Sequence, residues 1–236
     1  MTKQSPWQRL KASLQASAGE VVFGMEDGTV SIFGLVFGVA ATTTDQKAVL
    51  IAGASGAVAA AVSMMAGTYL DVETGQDQAK VMALRIESEL HSDVAVVLDS
   101  VTERLHAVGV AREQTTIVSN FLSSQPAILK GFATALAEPE EAASSQSPLV
   151  RSLWMLIADF LAAAIPILPF GFLPVPQGRV VSAAVTTLLL VALGIGRARI
   201  GGRPVARTVI ETVSIGVAAA AAGVGIGVWI AHIFGS

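Results

Sequence analysis

The chain has 236 residues, 53% of them hydrophobic and only 14% charged, with a mean hydropathy of +0.64 and a formal net charge of −3. Soluble domains carry about 25% charged residues, so the composition excludes an ordinary soluble globular fold and points to an integral membrane protein. Cysteine is absent, which excludes disulfides, thiolate metal sites and a cysteine nucleophile.

Residues 1–20 carry basic residues but no apolar core of signal-peptide length. This cytosolic N-terminal segment reads either as an amphipathic helix on the membrane surface, with Trp7, Leu10 and Leu14 spaced i, i+3, i+7, or as a short polar tail. A spanning helix needs about 20 mostly apolar residues, and five stretches qualify: 21–43, 47–70, 151–173, 178–197 and 206–234. Residues 21–70 therefore hold spans one and two, and residues 151–236 hold spans three to five. Residues 71–150 form a small three-helix insert between spans two and three. The expected fold is an all-α integral membrane protein.

Within the insert, "DQAKVMALRIESELHSDVAVVLDSVTERLHAVG" reads as one helix, with Val81, Leu84, Leu98, Val101 and Leu105 at helical spacing and Gly109 as its C-cap. "AREQTTIVSNFLSS" and "QPAILKGFATALA" give two more helices, and "EPEEAASSQSP" an acidic linker. Three short helices cannot build much of a core alone; they are expected to pack on partner copies or on extensions of the spans. Five spans divide the basic residues thirteen against two between the two sides. Basic residues mark the cytoplasmic side, which places the N-terminus and the insert in the cytosol and the C-terminus opposite.

Small residues are dense in the spans: Gly24/Gly28 and Gly34/Gly38 are G-x-x-x-G pairs, joined by "GASGAVAAA" and "GVGIGV". Small residues let helices approach closely, which predicts a tight, oligomeric bundle. An ionisable group inside a span costs about 2.5–3.5 kcal/mol on insertion scales and suggests function. Glu26, Asp27 and Asp159 are such groups, and Glu211 lies nearer the start of its span. For Asp27 the alternative is a first-turn acid favoured by the helix dipole; for Glu211 it is an ion pair with Arg207 four residues before it. Met64 and Met65 in "SMMAGTY" are either core fillers or soft donors. Carboxylates with thioethers suit borderline divalent metals better than Mg²⁺ or Ca²⁺. A carboxylate that loses a proton on binding metal also links the two ions. In the insert, Glu87/His91 and Glu89/Asp93 are i, i+4, and Glu103/His106 form a single Glu-x-x-His; these read as a solvated charged face or as a metal site. No Ser–His–Asp arrangement, H-E-x-x-H or phosphate loop is present. Neither an enzyme, nor a nucleic-acid partner, nor a permanently bound cofactor is expected.

"GMEDGTVSIFGLVFGVA", "LIAGASGAVAAAVSMMAGTYLDVETGQD", "AAIPILPF" and "ARTVIETVSIGVAAAAAGVGIGVWIAHIFG" resemble, in order, the first, second, third and final spans of the vacuolar iron transporter family. The resemblance covers nearly the whole chain. It implies a homodimer in the lipid bilayer that moves Fe²⁺ or Mn²⁺ out of the cytosol in exchange for protons, by alternating access. In a bacterial cell the equivalent is export across the inner membrane. It implies that Asp27 lies on the path and that Met64 or Met65 contacts the ion. The expected metal set is Asp27, Glu26, Met64, Met65 and Thr68, with Asp159 as the proton-coupling group. Glu87, Glu89, His91, Glu103 and His106 would form a cytosolic collecting site. Two departures stand out. Gly67–Thr68–Tyr69 replaces the family's Gly-Glu-Tyr or Gly-Glu-Phe, so a hydroxyl stands where a carboxylate is usual. Glu26 cannot take that place, because adjacent helix residues point about 100° apart. "SDVAVVLDSVTERL" has valines where the family repeats Glu-x-x-Glu. A member with a different substrate, or a non-transporting membrane scaffold or sensor, remains an alternative.

Overall fold

The computed structural model of the protein describes residues 5–137 and 146–234, and every regular element among them is a helix. In chain order these are α1 (Pro6–Ala16), α2 (Ala18–Thr42), α3 (Gln46–Ser92), α4 (Val94–Ala107), α5 (Arg112–Ser123), α6 (Pro126–Ala137), α7 (Pro148–Ile167), α8 (Pro169–Phe172), α9 (Val175–Ile200) and α10 (Val205–Phe234). Five of them, α2, α3, α7, α9 and α10, are long and apolar enough to cross a bilayer. The protein is an all-α, multi-pass integral membrane protein.

The N-terminal segment is helical from Pro6. Ser5 and Gln8 form a reciprocal capping box, with Gln8 N donating to Ser5 Oγ at 3.3 Å and Ser5 N donating to Gln8 Oε1 at 3.0 Å. Trp7, Leu10 and Leu14 are all exposed. The largest difference from expectation is α3. The second span does not stop near Tyr69 but continues to Ser92 as one 47-residue helix. No proline interrupts 46–92, and isolated glycines lower helix propensity by only about 1 kcal/mol each. The long helix expected from Asp77 to Gly109 is instead broken at Asp93, whose carboxylate accepts from Ala95 N at 2.9 Å and starts α4. At the other end of α4, Gly109 sits at φ +89°. Its N–H donates to His106 O and that of Val110 to Leu105 O, both at 3.0 Å, a Schellman closure.

The chain divides into two compact units, Met1–Tyr69 with Gln146–Ser236, and Leu70–Ser145. The second has its own core of Ile86, Val97, Val101, Leu122, Leu129 and Ala133, with Met82, Leu90, Leu98 and Leu105 packed against it. The short helices thus close on the extension of the second span. The apolar stripe that α3 contributes is 82/86/90; Val81 and Leu84, expected on that face, are exposed. Most of the acidic linker, residues 138–145, lies outside the described residues.

In the first unit, Ile32, Val36 and Ala40 repeat every four residues along α2 and meet Val49 and Ala57 of α3 and Ala163 and Ile167 of α7. Glycines set the helix spacing. A Cβ on Gly34 would meet the Ala219 carbonyl oxygen at 2.8 Å, and one on Gly38 that of Gly223 at 2.6 Å. One G-x-x-x-G pair of α2 therefore lies backbone to backbone on α10. α7 contains Pro166 and ends just before Pro169. Carbonyls at this turn are taken up from elsewhere: Ser182 Oγ donates to Pro166 O at 2.8 Å, and Gln46 Nε2 to Phe170 O at 2.6 Å and Leu173 O at 3.1 Å.

Candidate functional site

The other glycine pair of α2 faces α7. A Cβ on Gly24 would come within 2.6 Å of the Met155 sulfur; one on Gly28 would collide with the Asp159 carbonyl oxygen and lie 2.7 Å from its Oδ1. The pair is a notch that admits Met155 and Asp159, which are four residues apart and so share one face of α7. Asp159 is fully buried, and neither carboxylate oxygen has a hydrogen-bond partner among the described residues. Asp27 immediately precedes Gly28 on α2, and so lies beside the notch.

Asp27 is ten residues into α2, whose first-turn acid is Glu20. Its position is therefore not that of a dipole-favoured terminal charge. Asp27 is half-buried on the wall of a cavity of about 480 Å³, together with Glu26, Arg197, Arg203 and the apolar Val22, Phe23 and Ile215. Glu26, its neighbour, is committed elsewhere. Glu26 Oε1 accepts from Arg197 Nη1 at 3.1 Å and from the buried Thr212 Oγ1 at 3.2 Å. Of the two adjacent acids, one is tied to α9 and α10, and the other faces the cavity and α7.

The remaining acids of this unit follow the same logic. Glu20 pairs with Arg151. Glu211 is held by Arg203 Nη2 at 2.9 Å and Arg207 Nε at 3.0 Å, the interfacial ion pair that its spacing allows. Asp45 accepts from Lys47 N at 2.9 Å at the start of α3. Asp27 and Asp159 are left with neither an ion pair nor a hydrogen bond among the described residues.

Met64, Met65 and Thr68 are half-buried on α3, and no α3 residue lines the cavity. Gly53 packs against Val36 and Gly56 against Ile32 and Leu35, so α3 runs antiparallel to α2. At equal rise per residue, that register carries Met64 and Met65 to about the depth of Glu26 and Asp27. In the second unit the expected ligands are dispersed. Glu87 pairs with Lys130 Nζ at 3.0 Å and Glu89 with Arg85 Nε at 2.8 Å. His91 Nδ1 lies 2.7 Å from the Glu87 carbonyl, and His106 Nδ1 lies 3.2 Å from that of Val110. Glu103 is exposed. Among the described residues, no three His, Asp or Glu side chains converge where they could hold a metal ion.

The sequence reading missed Arg197 and Thr212 as partners of Glu26, and Met155 beside Asp159. The four arginines of "GRARIGGRPVAR" enter the count of basic residues that orients the spans, and nothing in that count shows which acids they meet. The spacing of Gly24 and Gly28 was the available signal for a close contact, though not for which helix would make it.

A family model described as the VIT family matches residues 18–228. The chain is 28% identical over 209 residues to "Vacuolar iron transporter 1" of Arabidopsis thaliana, covering 85% of this chain and 82% of that protein. It is 26% identical over 198 residues to "Vacuolar iron transporter" of Centaurea cyanus, covering 84% and 81%. With "Vacuolar iron transporter 1" of Tulipa gesneriana it shares 27% over 202 residues. The matched stretch runs from the first residue of α2 nearly to the end of α10 and so includes both unpaired acids, Asp27 and Asp159; the chain belongs to the VIT family.

Proposed function

We propose that the protein carries Fe²⁺ or Mn²⁺ out of the cytosol in exchange for protons, as a homodimer working by alternating access. The observation that supports this most is the unpaired Asp27 carboxylate on a cavity wall inside a spanning helix. An apolar bundle keeps such a group at a cost of about 2.5–3.5 kcal/mol, which a bound cation or proton offsets. On this reading Asp27 holds the metal and exchanges it for protons, and Asp159 takes part in the coupling. Met64 and Met65, at about the same depth, supply soft donors that favour first-row metals over Mg²⁺ and Ca²⁺, with the Thr68 hydroxyl beside them. Glu26 shapes the wall while bound to Arg197. The dispersed acids and histidines of the second unit argue for a structural role there rather than a collecting site. The excess of basic residues on one side supports a cytosolic N-terminus and insert.

The test is flux. Purified protein in proteoliposomes, with an Fe²⁺-sensitive dye and an imposed pH gradient, should move Fe²⁺ and count protons moving oppositely. Asp27→Asn should abolish flux with assembly intact. Wild-type flux in that variant refutes the role given to Asp27, and no divalent flux in the unaltered protein refutes transport itself.

A further inference from the structure

We infer that Asp27 of α2 and Asp159 of α7 act together as a two-carboxylate cation site within a single protomer, at the contact made by the Gly28 notch, and that its ligand is a divalent metal ion. This rests on the transport reading for what the site is used for, but not for its existence. Three observations carry it. First, Asp159 is fully buried, with both oxygens unpartnered among the described residues. Buried polar groups are otherwise almost always satisfied, and one that is not calls for an ion, a proton or a water. Second, each arginine that bridges an acid at this end of the bundle is taken by an acid other than these two: Arg151 by Glu20, Arg197 by Glu26, and Arg203 and Arg207 by Glu211. Arg9, Lys11 and Arg199 are exposed and bridge no acid among the described residues, so none of them neutralises Asp27 or Asp159. Two negative charges remain, the number a divalent cation balances. Third, the access is unequal in a useful way. Asp27 borders the cavity while Asp159 stands behind it, with its Oδ1 toward Gly28. A cation entering from the cavity meets one carboxylate before the other. The two carboxylates contribute oxygen donors, which Mn²⁺ accepts as Mg²⁺ and Ca²⁺ do; selection among these ions falls to other groups.

The probe is Mn²⁺ alone, added to the purified full chain in detergent, with free Mn²⁺ read from its electron paramagnetic resonance signal. The unaltered protein should bind Mn²⁺, and Asp159→Asn should weaken binding at least tenfold. Glu211→Gln, which removes an acid engaged by two arginines, should change it less than threefold. Asp27→Asn carries the same expected loss as Asp159→Asn and keeps the test decisive should the buried substitution fail to fold. Wild-type affinity in either aspartate variant overturns the site, as does an unaltered protein that binds no Mn²⁺. The two readings fail separately. Flux that needs Asp27 but not Asp159 sinks the paired site and leaves transport standing, whereas Mn²⁺ binding that needs both aspartates, without any divalent flux, does the reverse.

Discussion

Replacing Gly28 with alanine probes the contact on which the site depends. The added methyl would collide with the Asp159 carbonyl oxygen and lie 2.7 Å from Oδ1. The carbonyl belongs to the α7 backbone and cannot rotate away, so α2 and α7 must separate. Overpacking of this kind costs about 1–3 kcal/mol, and a backbone obstacle puts it near the upper end. The Gly→Ala exchange recovers about 1 kcal/mol of helix propensity. The net loss is then about 2 kcal/mol, or a fall in Tm of about 4–8 °C at roughly 2–4 °C per kcal/mol for a chain of this size. Thermal unfolding in detergent, followed by the fluorescence of the three tryptophans, reads it directly. Gly225→Ala is the matched control, because a Cβ there meets nothing within 4 Å, and its Tm should not fall. Equal melting of the two variants would show that α2 and α7 are not in backbone contact at Gly28.

Two further substitutions test neighbouring features. Arg197→Gln removes a fixed positive charge from the cavity wall and leaves Glu26 with only Thr212; Mn²⁺ should bind more tightly, while stability falls by about 1 kcal/mol, since the arginine is partly exposed. Unchanged Mn²⁺ affinity would mean that this charge does not reach the ion. Gly109→Ala places a side chain at φ +89°, outside the range that L-residues favour, and should cost about 1–2 kcal/mol. Hydrogen exchange across 94–107 should speed up accordingly, with α2 and α7 unaffected.

The spans were legible because crossing a bilayer imposes a length and an apolarity that few other segments share. Even so, α2 starts at Ala18 rather than at residue 21, and α9 runs from Val175 to Ile200 rather than over 178–197. A helix runs on past its apolar window until something breaks it, and Pro176 near the start of α9 sits in the first turn, where proline is tolerated. The continuation of α3 was hidden for the opposite reason: polarity rises after Tyr69, but helix formation needs only the absence of a breaker. In the sequence Glu89 and Asp93, at i, i+4, read as part of a solvated charged face or of a metal site, yet the short acidic side chain of Asp93 is also a good N-cap, and the cap is what forms. Asp27 and Asp159 stood out from sequence because each is an acid in an apolar run. Their pairing did not, because periodicity gives the face of a helix and not the neighbour it meets.

Packing alone does not explain an aspartate at position 159. The notch formed by Gly24 and Gly28 has room for a side chain of that shape, and asparagine fits the same space without carrying charge. With no donor among the described residues to stabilise it, an ionised carboxylate there costs several kcal/mol more than its amide. By contrast, Glu20, Glu26 and Glu211 each have an arginine; the first two join α2 to α7 and α9, and the third ties the start of α10 to the loop before it. Asp159 joins nothing in that way. Its charge has a physical use only when something positive arrives, and Asp27, on the cavity side of the same contact, is where that arrival begins.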